Sequence, residues 1–180
     1  MSRVPPLDPA ALTDDQQRVA GLIAGARKNV RGPFTIWLRN PTLAEHANAF
    51  GVALRDSKVL DRRLFELAVI TVCRAFTVQY AWSSHAPAAE AAGVSPEVIA
   101  AIRDNRRPNF QREDERVVYD VAAELMETKE LSRATYDSAV AQFGIDGTVD
   151  LVSTVGYYAM VGIFLKSFDV PTPTGDRPLK

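Results

Sequence analysis

The chain has 180 residues, of which 47% are hydrophobic, and it carries one cysteine and two histidines. A chain of this length buries a core without disulfides or a structural metal, and it fits one domain over residues 1–180. Its 21 basic and 22 acidic side chains give a net charge of −1. This balance disfavours nucleic acid as the main partner, because phosphate binding needs a basic excess. One cysteine excludes an intramolecular disulfide, a two-thiol redox pair and a multi-thiolate metal site.

The sequence has neither a signal-peptide pattern nor a stretch long enough for a transmembrane helix. Residues 1–15 hold three prolines and no apolar core, unlike a signal peptide. The longest apolar stretch, Val155–Leu165, is far shorter than the ~20 residues that span a bilayer. We therefore predict a cytoplasmic protein without a membrane partner, and the lone thiol agrees with a reducing compartment.

Helical patterns run through the whole chain, and no stretch alternates like a β-strand between hairpin turns. Caps, prolines and glycines divide the pattern into segments. The predicted helices, in chain order, cover residues 13–29, 42–56, 61–76, 78–92, 95–105, 113–129, 132–144 and 149–168. The sequence thus predicts an all-α fold of about seven to eight helices, with two helical hairpins in its middle.

The boundaries between these helices rest on specific signals. Thr13–Gln16 and Thr42–Glu45 both have capping-box spacing, and residues 34–40 between the two helices form a short helical turn or loop. Ser95–Glu97 combines a cap, a proline at the first helical position and an acid at the positive end of the helix dipole. The proline-containing segment 170–180 predicts an extended tail.

The helix predicted over residues 61–76 is apolar almost all round, which is typical of a helix at the centre of a domain or of a subunit interface. Glu66 breaks this pattern, and a carboxylate on a buried helix is costly unless it is paired. It either forms a structural ion pair with Arg74, Arg62 or Arg63, lies at a wet edge, or takes part in chemistry.

His85 stands on the next helix, five residues after Tyr80. A hairpin that turns near Thr77 brings Glu66 and His85 to similar depths, because each helix rises ~1.5 Å per residue. A carboxylate that orients an imidazole is a common general-base arrangement. The alternative is a histidine with a structural role only. The other histidine, His46, has polar neighbours in the sequence and is expected to be exposed.

The segments Leu64–Val69, Gln79–Ala89 and Ala92–Ile102 resemble the carboxymuconolactone decarboxylase family, whose superfamily includes the AhpD-type alkylhydroperoxidases. The Glu-x(18)-His spacing and the Gly-Val-Ser-Pro-Glu-x-Ile sequence carry the resemblance, within a core motif region over residues 60–105. The resemblance implies an AhpD-like helical bundle that assembles as a homo-oligomer, a trimer or a hexamer. The apolar helix predicted over residues 149–168 agrees with burial between subunits.

Two departures from the family pattern narrow the implied activity. AhpD-type members carry a Cys-x-x-Cys pair at the positions of Val78 and Ala81. Thiol peroxidase activity is not expected here, because it needs an attacking and a resolving thiol, and Cys73 is expected to be a core residue. The acid that many decarboxylase-like members have near Gln79 or Ala81 is also missing.

The resemblance implies a cofactor-free, lyase-like enzyme that acts on a small oxo-acid or lactone from aromatic-compound catabolism, by decarboxylation or a related proton transfer. His85 is the expected acid, with Glu66 as its orienting carboxylate and Tyr80 or Tyr157 as donor to an enolate. The candidate substrate-binding residues are Arg39, Arg74, Trp82 and Tyr157. The two arginines are included because a guanidinium binds a carboxylate in a fork.

No metal or cofactor is predicted, since the sequence has neither a metal-ligand motif nor a nucleotide-binding loop. The partner is then a small-molecule substrate. The alternative function is that of a non-catalytic, oligomeric member of the family that binds a ligand.

Overall fold

The structure is a computed structural model that describes residues 2–180, and within this range it has helices and no strand. A 3-10 turn, Pro9–Ala11, precedes the α-helices. These are α1 (Asp14–Arg27), α2 (Phe34–Trp37), α3 (Pro41–Arg55), α4 (Arg62–Ala75), α5 (Gln79–Ala91), α6 (Pro96–Arg103), α7 (Glu113–Thr128) and α8 (Arg133–Ser167). The prediction of an all-α fold with about seven to eight helices is confirmed.

Helix α4 lies at the centre and packs against α5, α7 and α8. Asp61 caps it, as predicted, by accepting a hydrogen bond from the backbone N–H of Leu64 at 2.9 Å. Residues 63–73 are all buried, which its nearly continuous apolar sequence predicts. The chain turns from α4 into α5 at Thr77, whose backbone is left-handed with φ of 51°. These two helices form the predicted hairpin and position the side chains described below.

Most of the predicted helix boundaries are confirmed. Thr13 and Gln16 form the predicted capping box at the start of α1. Ser95 caps α6 by accepting a hydrogen bond from the backbone N–H of Val98 at 3.3 Å. The tail over residues 170–180 contains no helix, as predicted from its prolines.

The predicted start of α3 is wrong. Thr42 does not cap this helix, because Asn40 does: its Oδ1 accepts a hydrogen bond from the backbone N–H of Leu43 at 3.2 Å. Pro41 then occupies the first helical position, where a backbone N–H has no intrahelical partner and its loss costs little. Helix α3 therefore begins one residue before the predicted cap, at Pro41.

Helix α8 consists of two helical segments joined by a kink at Gly144, which is where the sequence predicted the first of them to end. The two predicted helices are present, but the connector expected over residues 145–148 shortens to Gly144, which leaves helical geometry with φ of 69° and ψ of 179°. A residue without Cβ adopts this conformation at little steric cost. By length and apolar composition α8 is also the one helix of residues 2–180 that could cross a membrane, and half of its most apolar window is buried inside the fold. The expectation of no membrane partner stays a prediction.

A buried ion-pair network joins α4 to α7. Arg63 donates from Nη1 to Oε1 of Glu115 and from Nη2 to Oδ2 of Asp114, both at 2.7 Å. Arg112 adds a hydrogen bond to Asp114 at 3.2 Å. Burial opposes ionisation of Asp114, but the hydrogen bonds from Arg112 and Arg63 outweigh it and lower the pKa of this carboxyl to about 2. Arg63 is therefore committed to this network.

We predict that this network makes the protein less stable as the pH falls from about 4 towards 2. A carboxyl with a lowered pKa in the folded state stabilises the fold above its unfolded pKa of about 3.9, and the stabilisation is lost as the pH falls through the folded value. For Asp114 the loss is roughly 2 kcal/mol. Urea unfolding near pH 5 and near pH 2.5 measures it, with Asp114→Asn as the control that should lose less over this interval. An equal loss in both proteins would contradict the assignment.

Candidate active site

Glu66 and His85 form a hydrogen bond between α4 and α5. Nδ1 of His85 lies 2.7 Å from Oε2 of Glu66. The Glu66 side chain is fully buried and that of His85 is 19% exposed. Arg62, one turn earlier on α4, places Nη2 2.5 Å from Oε1 of Glu66, and so supplies the opposite charge that a buried carboxylate needs. Among the three arginines considered from the sequence, Arg62 is the ion-pair partner.

This pairing leaves one nitrogen of His85 available for chemistry. An ionised carboxylate only accepts hydrogen bonds, so Nδ1 carries the proton and the neutral imidazole has its lone pair on Nε2. No group within residues 2–180 bonds to Nε2, and this atom is not among the buried polar atoms that lack a partner. The ring of Tyr158 meets the imidazole edge-on, with 5.0 Å between centroids. His85 is thus held in one orientation with an accessible Nε2.

Both residues line a pocket of about 390 Å³ to which α1 to α5 and α8 contribute. Its ionisable lining is strongly unbalanced in charge, although the whole chain is close to neutral. Glu66 is the acidic residue of the lining, and the basic ones are Arg27, Lys28, Arg31, Arg55 and Arg62. Such a concentration of positive charge in a concave site attracts anions.

Four of the five basic side chains have no carboxylate partner in the part of the chain that the structure describes. Arg62 pairs with Glu66, whereas no carboxylate lies within 4.0 Å of the charged atoms of the other four. Elsewhere most arginines are paired, as in the network of Arg63. The unpaired cations are therefore a feature of the pocket.

Tyr80 reaches the pocket because Gly32 leaves room for its ring. A Cβ on Gly32 would lie 2.6 Å from Cε1 of Tyr80, and the backbone at this glycine has φ of +59°, so a side chain there would clash and strain the chain. Burial raises the pKa of the Tyr80 hydroxyl, and the nearby charge of Arg31 opposes this effect only partly. Tyr80 is protonated near neutral pH and has a proton to donate.

Tyr157 and Arg27 meet over Gly51, inside α3. A Cβ on Gly51 would lie 2.5 Å from the Tyr157 hydroxyl and 2.7 Å from Nη2 of Arg27. The hydroxyl donates a hydrogen bond to the backbone oxygen of Ala47 at 3.0 Å. Burial raises the pKa of Tyr157, with Arg27 and Arg55 acting in the opposite direction. The glycine allows a second tyrosine to line the same pocket.

The pocket brings together Glu66, His85, Tyr80 and Tyr157 of the residues selected from the sequence. The other three lie elsewhere. Arg39 donates to the backbone oxygen of Pro5 at 2.5 Å, Arg74 donates to the backbone oxygen of Lys180 at 2.9 Å, and Trp82 is in the core with 3% exposure. The lining cations come instead from residues that sequence reasoning did not select.

Two signals in the sequence pointed to those cations. Arg27, Lys28 and Arg31 follow one another closely just before the break at Gly32. Gly51 interrupts an otherwise helical pattern, which often marks a place where another group approaches closely. Neither signal says which side chains share a pocket, since α1 and α3 meet α5 and α8 only through the tertiary fold.

The described residues offer neither a reactive thiol nor a metal-ligand cluster. Cys73 is 2% exposed, and burial together with the charge of Glu66 raises the pKa of its thiol. Because the thiolate is the reactive form, a buried thiol with a raised pKa is inert. Val78 and Ala81 are buried apolar residues. No group of three or more His, Cys, Asp or Glu within residues 2–180 is arranged to hold a metal ion.

Comparison with known proteins gives a family model that matches the part of the chain carrying these residues. Residues 41–124, which include Glu66 and His85, match the model of the carboxymuconolactone decarboxylase family. The comparison with curated proteins gave no significant match.

Several solved structures share the fold at low sequence identity. A peroxidase-related protein from Ralstonia eutropha, described as an alkylhydroperoxidase AhpD core, has a TM-score of 0.78 and 16% identity, covering 95% of this chain and 92% of its own. The debrominase Bmp8 in complex with 2,3,4-tribromopyrrole has a TM-score of 0.76 and 15% identity, with coverages of 96% and 92%. A protein of unknown function from Agrobacterium tumefaciens has a TM-score of 0.70 and 14% identity, with coverages of 79% and 99%. At these identities the likeness concerns the fold.

The absence of a Cys-x-x-Cys pair separates this chain from the thiol-bearing pattern of the AhpD branch. The chain is therefore similar to the carboxymuconolactone decarboxylase family over residues 41–124, has an AhpD-like all-α fold and lacks that pair.

Proposed function

We propose that this protein is a cofactor-free acid–base enzyme that moves a proton at a carbon atom of a small anionic oxo-acid or lactone. The 2.7 Å contact between Glu66 and His85, at the wall of a pocket rich in unpaired cations, carries the proposal. General acid–base catalysis needs a positioned group whose proton-carrying atom reaches the substrate. Nε2 of His85 meets this requirement.

In the proposed reaction, the bond between a substrate carbon and its carboxylate breaks and releases CO₂. The bonding electron pair stays on that carbon and delocalises into the adjacent carbonyl as an enolate. His85, as imidazolium, then transfers the proton on Nε2 to the carbon, and solvent returns a proton to the imidazole. Glu66 stabilises the charged imidazolium, and Tyr80 donates a hydrogen bond to the enolate oxygen.

The same site does not support thiol peroxidase chemistry. That reaction needs an accessible thiolate and a resolving thiol, whereas Cys73 is buried and its thiol has a raised pKa. The names of the structural neighbours, peroxidase-related protein and debrominase, describe those proteins. We propose no such activity for this chain.

A second candidate function is that of a non-catalytic protein that binds an anionic ligand. Gln79 lies near the position at which many decarboxylase-like members have an acid, and its side chain hydrogen-bonds the C-terminal tail. Its Nε2 donates to the backbone oxygen of Leu179 at 2.7 Å, and its Oε1 accepts from the backbone N–H of the same residue at 3.0 Å. Structural roles for Gln79, which holds the tail, and for Glu66, which pairs with Arg62, favour the non-catalytic function.

We predict that His85→Ala lowers turnover by about 10²- to 10⁴-fold, because it removes the proton-transferring group. The measurement uses a panel of small oxo-acids and lactones in D₂O, with CO₂ release and deuterium incorporation at carbon followed by NMR. Cys73→Ala is the control and should keep the wild-type rate.

Full turnover in folded His85→Ala would rule out His85 as the catalytic acid. A panel without any turnover, with Glu66→Gln less stable than wild type, would instead support the non-catalytic function. Circular dichroism of each variant checks that the fold is retained.

We also propose that α8 forms a contact between copies of this chain. One side of it carries exposed apolar side chains spaced three, four or eight residues apart, with exposures of 37–65%. These are Ile145, Val149, Val152, Met160 and Ile163. An apolar stripe of this length on the surface is typical of an interaction site, and it supports the homo-oligomer that the family resemblance implies.

We predict that Ile163→Glu and Val149→Glu each lower the mass of the assembly, because a charge buried in an apolar contact is costly. Light scattering of the wild type should give a multiple of the 19.7 kDa chain mass, such as a trimer or a hexamer. Ala91→Glu, an exposed position on α5, is the matched control and should leave the mass unchanged. A monomeric wild type would contradict the proposal.

A further inference from the structure

Arg27, the last residue of α1, is held in a fixed orientation at the pocket. Its Nε donates to Oδ1 of Asn48 at 2.7 Å, and its guanidinium carbon lies 4.5 Å from the centre of the Phe34 ring. The hydrogen bond and the stacking define the plane of the guanidinium. A planar cation held in this way has lost its side-chain freedom before any ligand binds.

The remaining donors of Arg27 have no carboxylate partner in the part of the chain that the structure describes. Nη2 is buried beside the Tyr157 hydroxyl, which favours the charged form of Arg27, but it lacks a well-aligned hydrogen bond, and such a polar atom is rare and costly in a protein. Nη1 makes no hydrogen bond to any described residue and is not among the buried atoms. Burial, and then the neighbouring charge of Arg55, lower the pKa of Arg27. Two cations held side by side without a carboxylate leave a place for an anion.

The rings of Tyr158 and Tyr157 lie between His85 and the guanidinium of Arg27. Tyr158 contacts His85 with 5.0 Å between ring centroids, and Tyr157 contacts Tyr158 with 5.3 Å. Tyr157 and Arg27 then approach the same point above Gly51, which a Cβ would fill. The pocket therefore has a proton-transfer side at His85 and a separate cationic side at Arg27.

We propose that Arg27 binds a carboxylate of the substrate and so determines which end of the molecule faces His85. A guanidinium with a fixed plane binds the two oxygens of a carboxylate in a fork and distinguishes the acid from a neutral analogue. The role deepens the proposed function and rests on it. The sequence predicted Arg39 or Arg74 as the carboxylate-binding guanidinium, but both residues lie outside the pocket.

The test compares a small oxo-acid with its neutral ester. Wild type and variants are titrated with 4-oxopentanoate and with methyl 4-oxopentanoate, and the dissociation constants are read from ¹H–¹⁵N NMR spectra. We expect the wild type to bind the acid about tenfold more tightly than the ester. Arg27→Gln should lose this preference and leave ester binding unchanged, and Arg27→Lys, which keeps the charge without the planar fork, should be intermediate.

Two controls separate the subsite from general electrostatics and from turnover. Arg177→Gln removes an exposed arginine outside this pocket and should keep the wild-type preference. Arg39→Gln, which removes an exposed arginine that contacts Pro5 outside the pocket, should also keep it. The titration measures binding, so its result does not depend on whether a reaction occurs.

The proposal fails if folded Arg27→Gln prefers the acid as strongly as the wild type does, or if the wild type does not distinguish acid from ester. Should Arg27→Gln not fold, Arg27→Lys decides: a preference equal to that of the wild type overturns the role of the guanidinium fork, and a reduced preference supports it.

Discussion

A carboxylate buried at the centre of the bundle determines how the site of this protein is built. Glu66 lies on α4, where residues 63–73 are all buried, and an ionised group is stable there only if charges and hydrogen bonds surround it. Arg62 on the same helix supplies the opposite charge, and His85 on α5 supplies a hydrogen bond. This requirement couples α4 to α5, fixes the imidazole and leaves its second nitrogen accessible. The same contacts therefore stabilise the buried charge of Glu66 and orient His85, the candidate acid.

Basic side chains are paired with carboxylates on one side of α4 and are mostly unpaired in the pocket on the other side. Arg63 is neutralised by Asp114 and Glu115, and its network joins α4 to α7 as part of the structure. The pocket on the other side of α4 is lined by cations such as Arg27 and Arg55, which form no ion pair with a carboxylate of the described residues. Half-buried cations such as these, which have no carboxylate partner, favour a ligand of opposite charge. The near-neutral composition of the chain conceals this local excess.

The sequence predicted what depends on local pattern and failed where distant segments meet. The apolar run after Asp61 predicted α4, and counting turns on either side of Thr77 predicted that Glu66 and His85 lie close together. The cations of the pocket were not predicted, because Arg27 reaches it only through the packing of α1 on α3 over Gly51. At α3 the predicted cap Thr42 was wrong, because Asn40 caps the helix and Pro41 takes its first position.

The central claim is that Glu66 fixes His85 as the tautomer with its proton on Nδ1. ¹⁵N NMR of the imidazole side chains tests this most directly, at a pH where His85 is neutral, with the exposed His46 as the reference signal. The account predicts a protonated Nδ1 and an unprotonated Nε2 for His85, as a carboxylate partner requires. A proton on Nε2 with a lone pair on Nδ1 would contradict it.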